Sequence, residues 1–302
     1  MKLAVAITCH NQHRMVKDTI RELCSGTLRP ATIYVLSDGK PFWKLPGEPD
    51  EVIPLNNFGR NVGRCGNRNS AISKFLLSDC DALVFMDGDC YPDSSDFLMK
   101  YASLLENHDL VFGTRRHDSI AGLSLPPSDL LTANMDNLWS GRGIDYGDLR
   151  VVSGAMDAWK TARSFSERLD LMLTGMIAWS CNFGFSKNGL RKLRRFQERT
   201  YGMADGIFDD DAFGDGWGYE DVAMGLDALY AGLDIDITDS VRVGHRSHDR
   251  SDGLFDHVKG RHAIMERARM LERYVRSPRK ILWTSMVATA FFIGGLLTSI
   301  IV

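Results

Sequence analysis

The sequence predicts an α/β protein with a mostly parallel, doubly wound sheet, and two observations support this fold class. Short apolar runs alternate with segments whose apolar residues recur at helical spacing. Three of these runs end abruptly in polar residues. Strands that alternate with helices form parallel sheets, and the ligands of such sheets bind beyond the carboxyl ends of the strands.

The composition is that of an ordinary globular protein. The chain has 302 residues, 44% of them hydrophobic, which permits a sizeable core in one large domain or two small ones. A net charge of −3 gives no basic field, so nucleic acid is not an expected partner. The six cysteines form no Cys-x-x-Cys pair, which favours a reducing compartment. The N-terminus begins with a strand-like run, and we expect no signal peptide.

Three predicted strands occupy residues 2–8, 31–36 and 51–55, with a helix over 15–23 after the first strand. The carboxyl ends of parallel strands meet at one edge of a sheet. We therefore expect the polar residues around the first two strand ends to face a ligand, and these are Thr8, His10, Asn11 and Asp38.

A glycine-containing loop at 61–69 opens the next predicted helix, which continues to Leu77. Backbone N–H groups at a helix start, together with Arg64 and Arg68, fit a diphosphate or nucleotide. The loop is neither a Walker A loop nor a dinucleotide fingerprint. The alternative is a simple helix cap with solvated arginines.

The fourth predicted strand, residues 83–86, ends in Asp87-Gly88-Asp89. Two carboxylates one residue apart at the end of a buried strand repel each other and lose hydration, unless a positive group lies between them. Carboxylate oxygens suit Mg²⁺ or Mn²⁺, and Gly88 lets a ligand approach closely. The alternative is an ordinary strand-end turn.

The second half is less regular. After a helix from residue 94 and a strand at 110–112, residues 115–153 are polar and rich in turn formers, with a helix expected at 130–138. A strand over 176–185, which contains Asn182, precedes a basic helix at 190–196. That helix face either contacts a phosphate or membrane surface or is merely solvated.

Two loops of the second half carry candidate functional groups. Residues 206–221 are acidic and glycine-rich, and Trp217 offers an indole face for a sugar ring. Glu220 and Asp221 fall in the first turn of the helix over 222–231, where they either act in the site or only cap the helix. After the last strand, 235–243, His245 and His248 are candidate metal ligands or structural histidines.

Residues 281–302 contain no charged residue and follow a basic stretch at 271–280. A membrane-spanning helix needs about 20 apolar residues, and basic flanks stay in the cytoplasm. We therefore expect a cytoplasmic domain anchored by a C-terminal transmembrane helix. The alternative is a buried C-terminal core helix.

Four stretches occur together and in one order. They are Asn61-x-Gly63 with Arg68-Asn69, Asp87-Gly88-Asp89, Phe208-Asp209 with Trp217-Gly218-x-Glu220-Asp221, and Val243-Gly244-His245. This set resembles the GT-A fold glycosyltransferases of the family 2 type over residues 3–250. The C-terminal half also resembles the galactosyltransferase and polypeptide N-acetylgalactosaminyltransferase group. The resemblance implies a Rossmann-like, mixed but mostly parallel sheet flanked by helices in a domain over 1–270, with nucleotide-binding (1–115) and acceptor-binding (116–270) halves.

The resemblance implies a nucleotide-sugar donor, typically UDP-linked. Asp38 would accept a hydrogen bond from the nucleobase, and Arg68 would contact the nucleotide. Asp87 and Asp89 would hold Mn²⁺ or Mg²⁺ against the diphosphate, with His245 as a third ligand and His248 in reserve. The remaining residues expected to bind the donor are Thr8, His10, Asn11, Asn61, Gly63 and Gly88.

For the acceptor side, the resemblance implies that Trp217, Gly218 and Asn182 contact sugar and that Glu220 binds sugar hydroxyls. Asp221 matches the catalytic base of inverting members. A carboxylate can take the proton of an attacking hydroxyl, while a divalent cation neutralises the departing diphosphate. Tyr219 replaces the glycine usual in the galactosyl group, and no Gln-x-x-Arg-Trp motif of processive synthases is present.

The acceptor stays open between a saccharide, a lipid-linked saccharide and a protein. The rival functions are a non-catalytic sugar-nucleotide or carbohydrate-binding protein on the same fold and a nucleotidyltransferase. A nucleotidyltransferase shares the sheet and the paired acids but has no evident use for the Trp217–Asp221 loop. A DNA glucosyltransferase gains no support from the net charge.

Overall fold

The computed structural model describes residues 1–38, 40–44, 47, 49–56, 62–117, 156–173, 181–203, 206–213, 219–246 and 257–275. Their strands are β1 (Leu3–Cys9), β2 (Thr32–Ser37), β3 (Val52–Asn56), β4 (Ala82–Asp87), β5 (Cys90–Pro92), β6 (Leu110–His117), β7 (Asn182–Ser186) and β8 (Ile235–His245). Their principal helices are α1 (His13–Ser25), α2 (Gly63–Leu77), α3 (Phe97–Asn107), α4 (Phe165–Leu173), α5 (Lys187–Tyr201), α6 (Asp210–Phe213), α7 (Glu220–Tyr230) and α8 (His257–Val275).

All of these strands belong to one mixed sheet with the order β3-β2-β1-β4-β7-β6-β8-β5. β1 to β4 run parallel, β7 is antiparallel to both β4 and β6, and β8 is parallel to β6. The carboxyl ends of β1, β2, β3, β4, β6 and β8 therefore meet at one edge. The mixed, mostly parallel α/β sheet expected from the sequence is confirmed.

The sheet is buried on both faces, as the continuous apolar runs of β1 and β4 predict. Ala6 and Phe85 belong to the core on one face, and Val5 and Val84 belong to the core on the other. Phe85 stacks on Phe183 of β7 with ring centroids 4.7 Å apart. This packing fixes β4, and hence the residues that follow it, in the middle of the sheet.

The sequence explains why helices form after β1 and after β7. Helix α1 buries Val16, Ile20 and Leu23, which recur at helical spacing. Helix α5 is capped at its start by Ser186, whose side chain accepts a hydrogen bond from the Gly189 N–H, and at its end by Gly202 in the left-handed conformation. The basic helix expected at 190–196 therefore exists and is longer than expected.

Several expectations fall outside the described residues. They are the helix at 130–138, the start of the strand expected over 176–185, the transmembrane segment 281–302, and the site residues Asn61, Trp217, Gly218 and His248. Within the described part of the chain, every helix is too short or too polar to cross a bilayer.

Candidate functional site

The first carboxylate of the acidic motif, Asp87, ends β4 beside the end of β1. Thr8 and Asp87 are register partners across the parallel ladder. The Thr8 hydroxyl donates to Asp87 Oδ1 at 3.0 Å, and Arg68 donates to the same oxygen at 3.2 Å. The Asp87 side chain keeps 21% of its surface exposed. The motif therefore lies at the carboxyl edge of the sheet, where the sequence predicted it.

Gly88 is required by close packing of the turn that follows. A Cβ atom added to Gly88 would lie 2.4 Å from the Thr8 carbonyl oxygen. No side chain fits against that backbone atom, so only glycine lets the turn approach β1.

The second carboxylate, Asp89, meets His245 across the short antiparallel ladder of β5 and β8. His245 Nε2 lies 3.4 Å from Asp89 Oδ2, and the Arg246 N–H donates to the Asp89 carbonyl at 2.9 Å. Both side chains are buried. The predicted metal ligands Asp89 and His245 therefore come together, although the chain separates them widely.

The donor atoms of this cluster fit a divalent cation. Carboxylate oxygen and imidazole nitrogen are both ligands of Mn²⁺ in proteins. The thiol of Cys90 also belongs to the cluster, because its sulfur and the donor atoms of Asp89 and His245 all lie within 4.8 Å of one another. Cys90 was not among the predicted ligands, although its position directly after the acidic motif was a signal.

Arg68 is a buried cation behind the carboxylates. Its side chain is 0% exposed and donates to Glu220 Oε1 at 2.9 Å as well as to Asp87. Burial alone would lower the pKa of Arg68, but Asp87 and then Glu220 outweigh it and raise that pKa. The nucleotide contact expected of Arg68 stays a prediction; here the guanidinium is enclosed and bonded to two carboxylates. We assign it to positioning those carboxylates.

Glu220 begins α7 and points into the protein. Its side chain is 2% exposed, with Arg68 at 2.9 Å and Arg64 at 3.9 Å. Burial alone would raise the pKa of Glu220, but Arg68 and then Arg64 lower it, so the carboxylate stays ionised. The contact with sugar hydroxyls expected of Glu220 stays a prediction; here arginines enclose the side chain.

Asp221, the next residue, is half-buried rather than enclosed. Its Oδ1 accepts a hydrogen bond from the Val222 N–H at 2.9 Å. Its charge is among those that raise the pKa of Arg68, so it lies close to the same guanidinium. Tyr219, which precedes the pair, has a φ of 70°, a left-handed conformation that favours glycine. The start of α7 therefore directs two adjacent carboxylates to different surroundings.

Asn69 holds the loop that leads to this helix. Its Oδ1 accepts from the N–H groups of Ile207 and Phe208 at 3.0 and 3.1 Å, and its amide donates to the Phe208 carbonyl at 2.8 Å. The Arg68-Asn69 pair therefore binds the acceptor-side segment to α2. The sequence analysis placed Asn69 in a motif but gave it no role.

The expected nucleobase contact, Asp38, lies at the end of β2. It is buried, and its Oδ1 accepts from the Val62 N–H at 3.0 Å. His10 and Asn11 are exposed on the loop after β1, and Asn11 has a φ of 62°. Gly63 begins α2 with a φ of 67°. These residues surround one end of the edge that carries Asp87, and their donor contacts stay a prediction.

Asn182 has a different place from the one expected. It is 0% exposed, its amide donates to the carbonyls of Thr114 and Val241 at 2.9 and 2.8 Å, and its Oδ1 accepts from the Tyr101 hydroxyl at 2.8 Å. These bonds join β6, β7 and β8 where β8 bulges. These contacts give the Asn182 side chain a structural role, and the sugar contact expected of it stays a prediction.

Arg115 on β6 is a second cation near the acidic motif. Burial acts to lower the pKa of Arg115, but Cys181, Cys90 and the carboxylates of Asp87 and Asp89 raise it. Arg115 was not among the predicted site residues, because it lies in the polar stretch after the apolar part of its strand. Asp87 is thus bonded to Arg68 and, together with Asp89, also acts electrostatically on Arg115.

Comparison with known proteins relates this chain to one family. The model of glycosyl transferase family 2 matches residues 4–194. That match does not reach α7 or β8, so the resemblance of the C-terminal half to the galactosyltransferase group is not confirmed. No curated protein matches the sequence.

Solved structures of similar fold include TarS 1–349 of S. aureus, with 12% identity, 82% of this chain and 60% of that chain covered, and a TM-score of 0.49. The same fragment in complex with UDP-GlcNAc is 11% identical, with 84% of this chain and 62% of that chain covered, and a TM-score of 0.49. The mannosyltransferase PcManGT from Pyrobaculum calidifontis, in complex with GDP-Man and Mn²⁺, is 12% identical. It is matched over 96% of this chain and 80% of that chain, with a TM-score of 0.47. The chain thus spans less than two thirds of the TarS 1–349 chain.

Proposed function

Because this chain belongs to glycosyl transferase family 2 and is a glycosyltransferase, we propose that it moves a sugar from a UDP-linked donor to a hydroxyl acceptor with inversion at the anomeric carbon. One observation carries the proposal. The buried guanidinium of Arg68 joins Asp87, at the end of β4, to Glu220, at the start of α7. The end of β4, which would face the donor diphosphate, and the start of α7, which carries Asp221 and would face the acceptor, are therefore held together.

The donor would bind along the carboxyl edge of β1, β2 and β4. Asp38 and the start of α2 are at one end of that edge, where a nucleoside and its phosphates would lie. Asp89 and His245, with Asp87, would hold Mn²⁺ or Mg²⁺. When bound, such an ion neutralises the charge that builds on the leaving diphosphate.

Asp221 would be the base. The acceptor hydroxyl attacks the anomeric carbon while its proton passes to the Asp221 carboxylate, and the bond to the diphosphate oxygen breaks. The half-buried position of Asp221 near Arg68 supports this role, because this carboxylate belongs to the charged cluster and is not enclosed as Glu220 is. Attack from the side opposite the leaving group inverts the anomeric centre.

The acceptor would be a saccharide, a lipid-linked saccharide or a protein, and the tail would anchor the enzyme to the cytoplasmic side of a membrane. Support for the anchor comes from the uncharged stretch 281–302. The packing of Tyr274, near the end of α8, against Phe196 of α5 also brings the last described turn close to a basic helix. A membrane-bound enzyme has ready access to a lipid-linked acceptor.

A panel of nucleotide sugars tests the donor and the metal together. The full chain is incubated with each sugar and Mn²⁺, and both thermal stability and free UDP are measured. A donor at about 100 times its Kd should stabilise the fold by roughly 2.7 kcal/mol. Asp89→Ala should abolish the metal-dependent part of that stabilisation. Release of pyrophosphate from a nucleoside triphosphate would instead indicate a nucleotidyltransferase, and binding without UDP release would indicate a binding protein.

A further inference from the structure

Three different donor atoms converge at the junction of β5 and β8. Cys90 and His245 are directly opposed partners in the antiparallel ladder, and side chains of opposed residues lie on the same face of a sheet. The Asp89 carboxylate spans the two, with Oδ1 3.5 Å from Cys90 Sγ and Oδ2 3.4 Å from His245 Nε2. All three side chains are buried.

These spacings are those of ligands in one metal shell. A zinc ion bonds nitrogen, oxygen and sulfur at about 2.0–2.3 Å, so two donors of a tetrahedral shell lie roughly 3.3–3.8 Å apart. Each carboxylate oxygen of Asp89 has one partner atom in that range, and one donor atom from each of the three residues lies within 4.8 Å of the other two. The set also differs in kind from an all-oxygen site, because thiolate sulfur is a poor ligand for Mg²⁺ and a good one for zinc.

We propose that Cys90 is a third protein ligand of the cation site, so that the site takes borderline-soft divalent ions such as Zn²⁺ and Co²⁺ more tightly than Mg²⁺. This cation site is the one used in the proposed function, and the effect of zinc on sugar transfer rests on that proposed function. Three protein ligands leave a four-coordinate ion one position for water or a donor oxygen. Zinc is then a competitor of the hard ion used in transfer.

The proton balance of the site is simple. A cysteine reaches the metal as a thiol or a thiolate, and only the thiolate forms the bond. As the sulfur–metal bond forms, the thiol proton leaves to solvent, since a coordinating thiol is deprotonated by the ion itself. No oxidation or reduction takes place.

The test uses the reduced full chain and two probe ions, Co²⁺ and Cd²⁺, whose bonds to thiolate give charge-transfer absorption in the ultraviolet. We expect a saturable band in the wild type and in Cys24→Ser, a matched control on α1. Cys90→Ser should abolish the band and weaken Co²⁺ binding by roughly tenfold or more, while Mn²⁺ binding is retained. Circular dichroism checks that each variant is folded.

His245→Gln is the second variant if Cys90→Ser does not fold, and it should also weaken Co²⁺ binding. A band of undiminished strength in folded Cys90→Ser would overturn the proposal. So would a folded wild type that binds Mn²⁺ but shows no band with either probe. If the band behaves as expected and no nucleotide sugar is turned over with Mn²⁺, the proposed transfer fails while the sulfur ligand stands.

Discussion

Arg68 shows how a single buried charge can organise a site. The side chain has no exposed surface and bonds to Asp87 and Glu220 from opposite halves of the chain. Its guanidinium also lies over the Phe208 ring at 5.4 Å. A buried arginine of this kind is stable only because two carboxylates compensate for its lost hydration. Removing it would leave both acids without their shared partner.

We expect Arg68→Met to lower the free energy of unfolding by about 3–5 kcal/mol, the usual effect of breaking a buried ion pair from one side. Urea denaturation measures it. Lys74→Met, the same kind of change at an exposed position of α2, should stay within about 0.5 kcal/mol. The Arg68→Met and Glu220→Leu double variant should recover part of the loss, and strict additivity of the two single effects would contradict the pairing.

Glu220 gives this cluster a defined pH dependence. Its pKa in the folded state is lowered: burial opposes the shift, but Arg68 and Arg64 outweigh it. An acid with a depressed folded pKa stabilises the protein above its unfolded pKa, about 4.3, and that contribution is lost as the pH falls through the folded value. Glu220→Gln should therefore flatten the acid limb of stability against pH, as denaturation from neutral pH downward would show. Exposed Glu106→Gln should leave the limb unchanged.

Asp221 is expected to matter for turnover and not for donor binding. Asp221→Asn keeps the shape of the side chain but removes the proton acceptor, so transfer should fall by roughly 10²–10⁴-fold. The Kd for the nucleotide sugar, measured by calorimetry, should stay unchanged. Asp239→Asn, an exposed position on β8, is the control for the same substitution. Full activity in Asp221→Asn would remove the residue from the reaction.

At the scale of the element, the segment before α6 depends on one close contact. Gly206 has a φ of 83°, and a Cβ added there would lie 2.1 Å from Asn69 Cγ. Asn69 in turn holds the backbone of Ile207 and Phe208. The glycine is thus required both by its backbone conformation and by the side chain packed against it.

A matched pair of glycines separates those two requirements. Gly202 has a similar φ of 72° but nothing within 4 Å of an added Cβ. We expect Gly202→Ala to cost about 1–2 kcal/mol from backbone strain alone, and Gly206→Ala to cost clearly more, because Asn69 must also move. Chemical denaturation gives both values. Equal losses would show that Asn69 adapts freely and does not fix the loop.

Helix α8 is joined to the body by a second buried cation. Arg267 donates to both oxygens of Asp227 at 3.1 and 2.7 Å and to Asp209 at 2.8 Å, and it stacks over the Tyr201 ring at 3.8 Å. Bidentate arginine–carboxylate pairs fix orientation as well as position. The orientation of α8 on the core is therefore set by these buried contacts.

At the scale of the whole molecule, the sequence predicted the sheet and its edge because apolar runs and the polar residues that follow them are local signals. Strand direction is not local. The antiparallel insertion of β7 between β4 and β6 depends on partners far away in the chain, and β5 has only three residues. The burial of Arg68 could not be predicted for the same reason. Its partner Glu220 is remote in sequence, and the sequence alone does not distinguish a buried arginine from a solvated one.

The membrane anchor is a prediction about the whole chain. Residues 281–302 carry no charge, and insertion of such a stretch, unlike surface adsorption, resists salt screening. The full chain should therefore float with lipid vesicles in a density gradient even at high salt. Leu296→Arg should release it, because an arginine near the centre of a spanning helix costs about 2.5–3.5 kcal/mol. Leu77→Arg, the same change at a side chain that is 88% exposed, should still float. Flotation that persists in Leu296→Arg, or a wild type that stays in solution, would contradict the anchor.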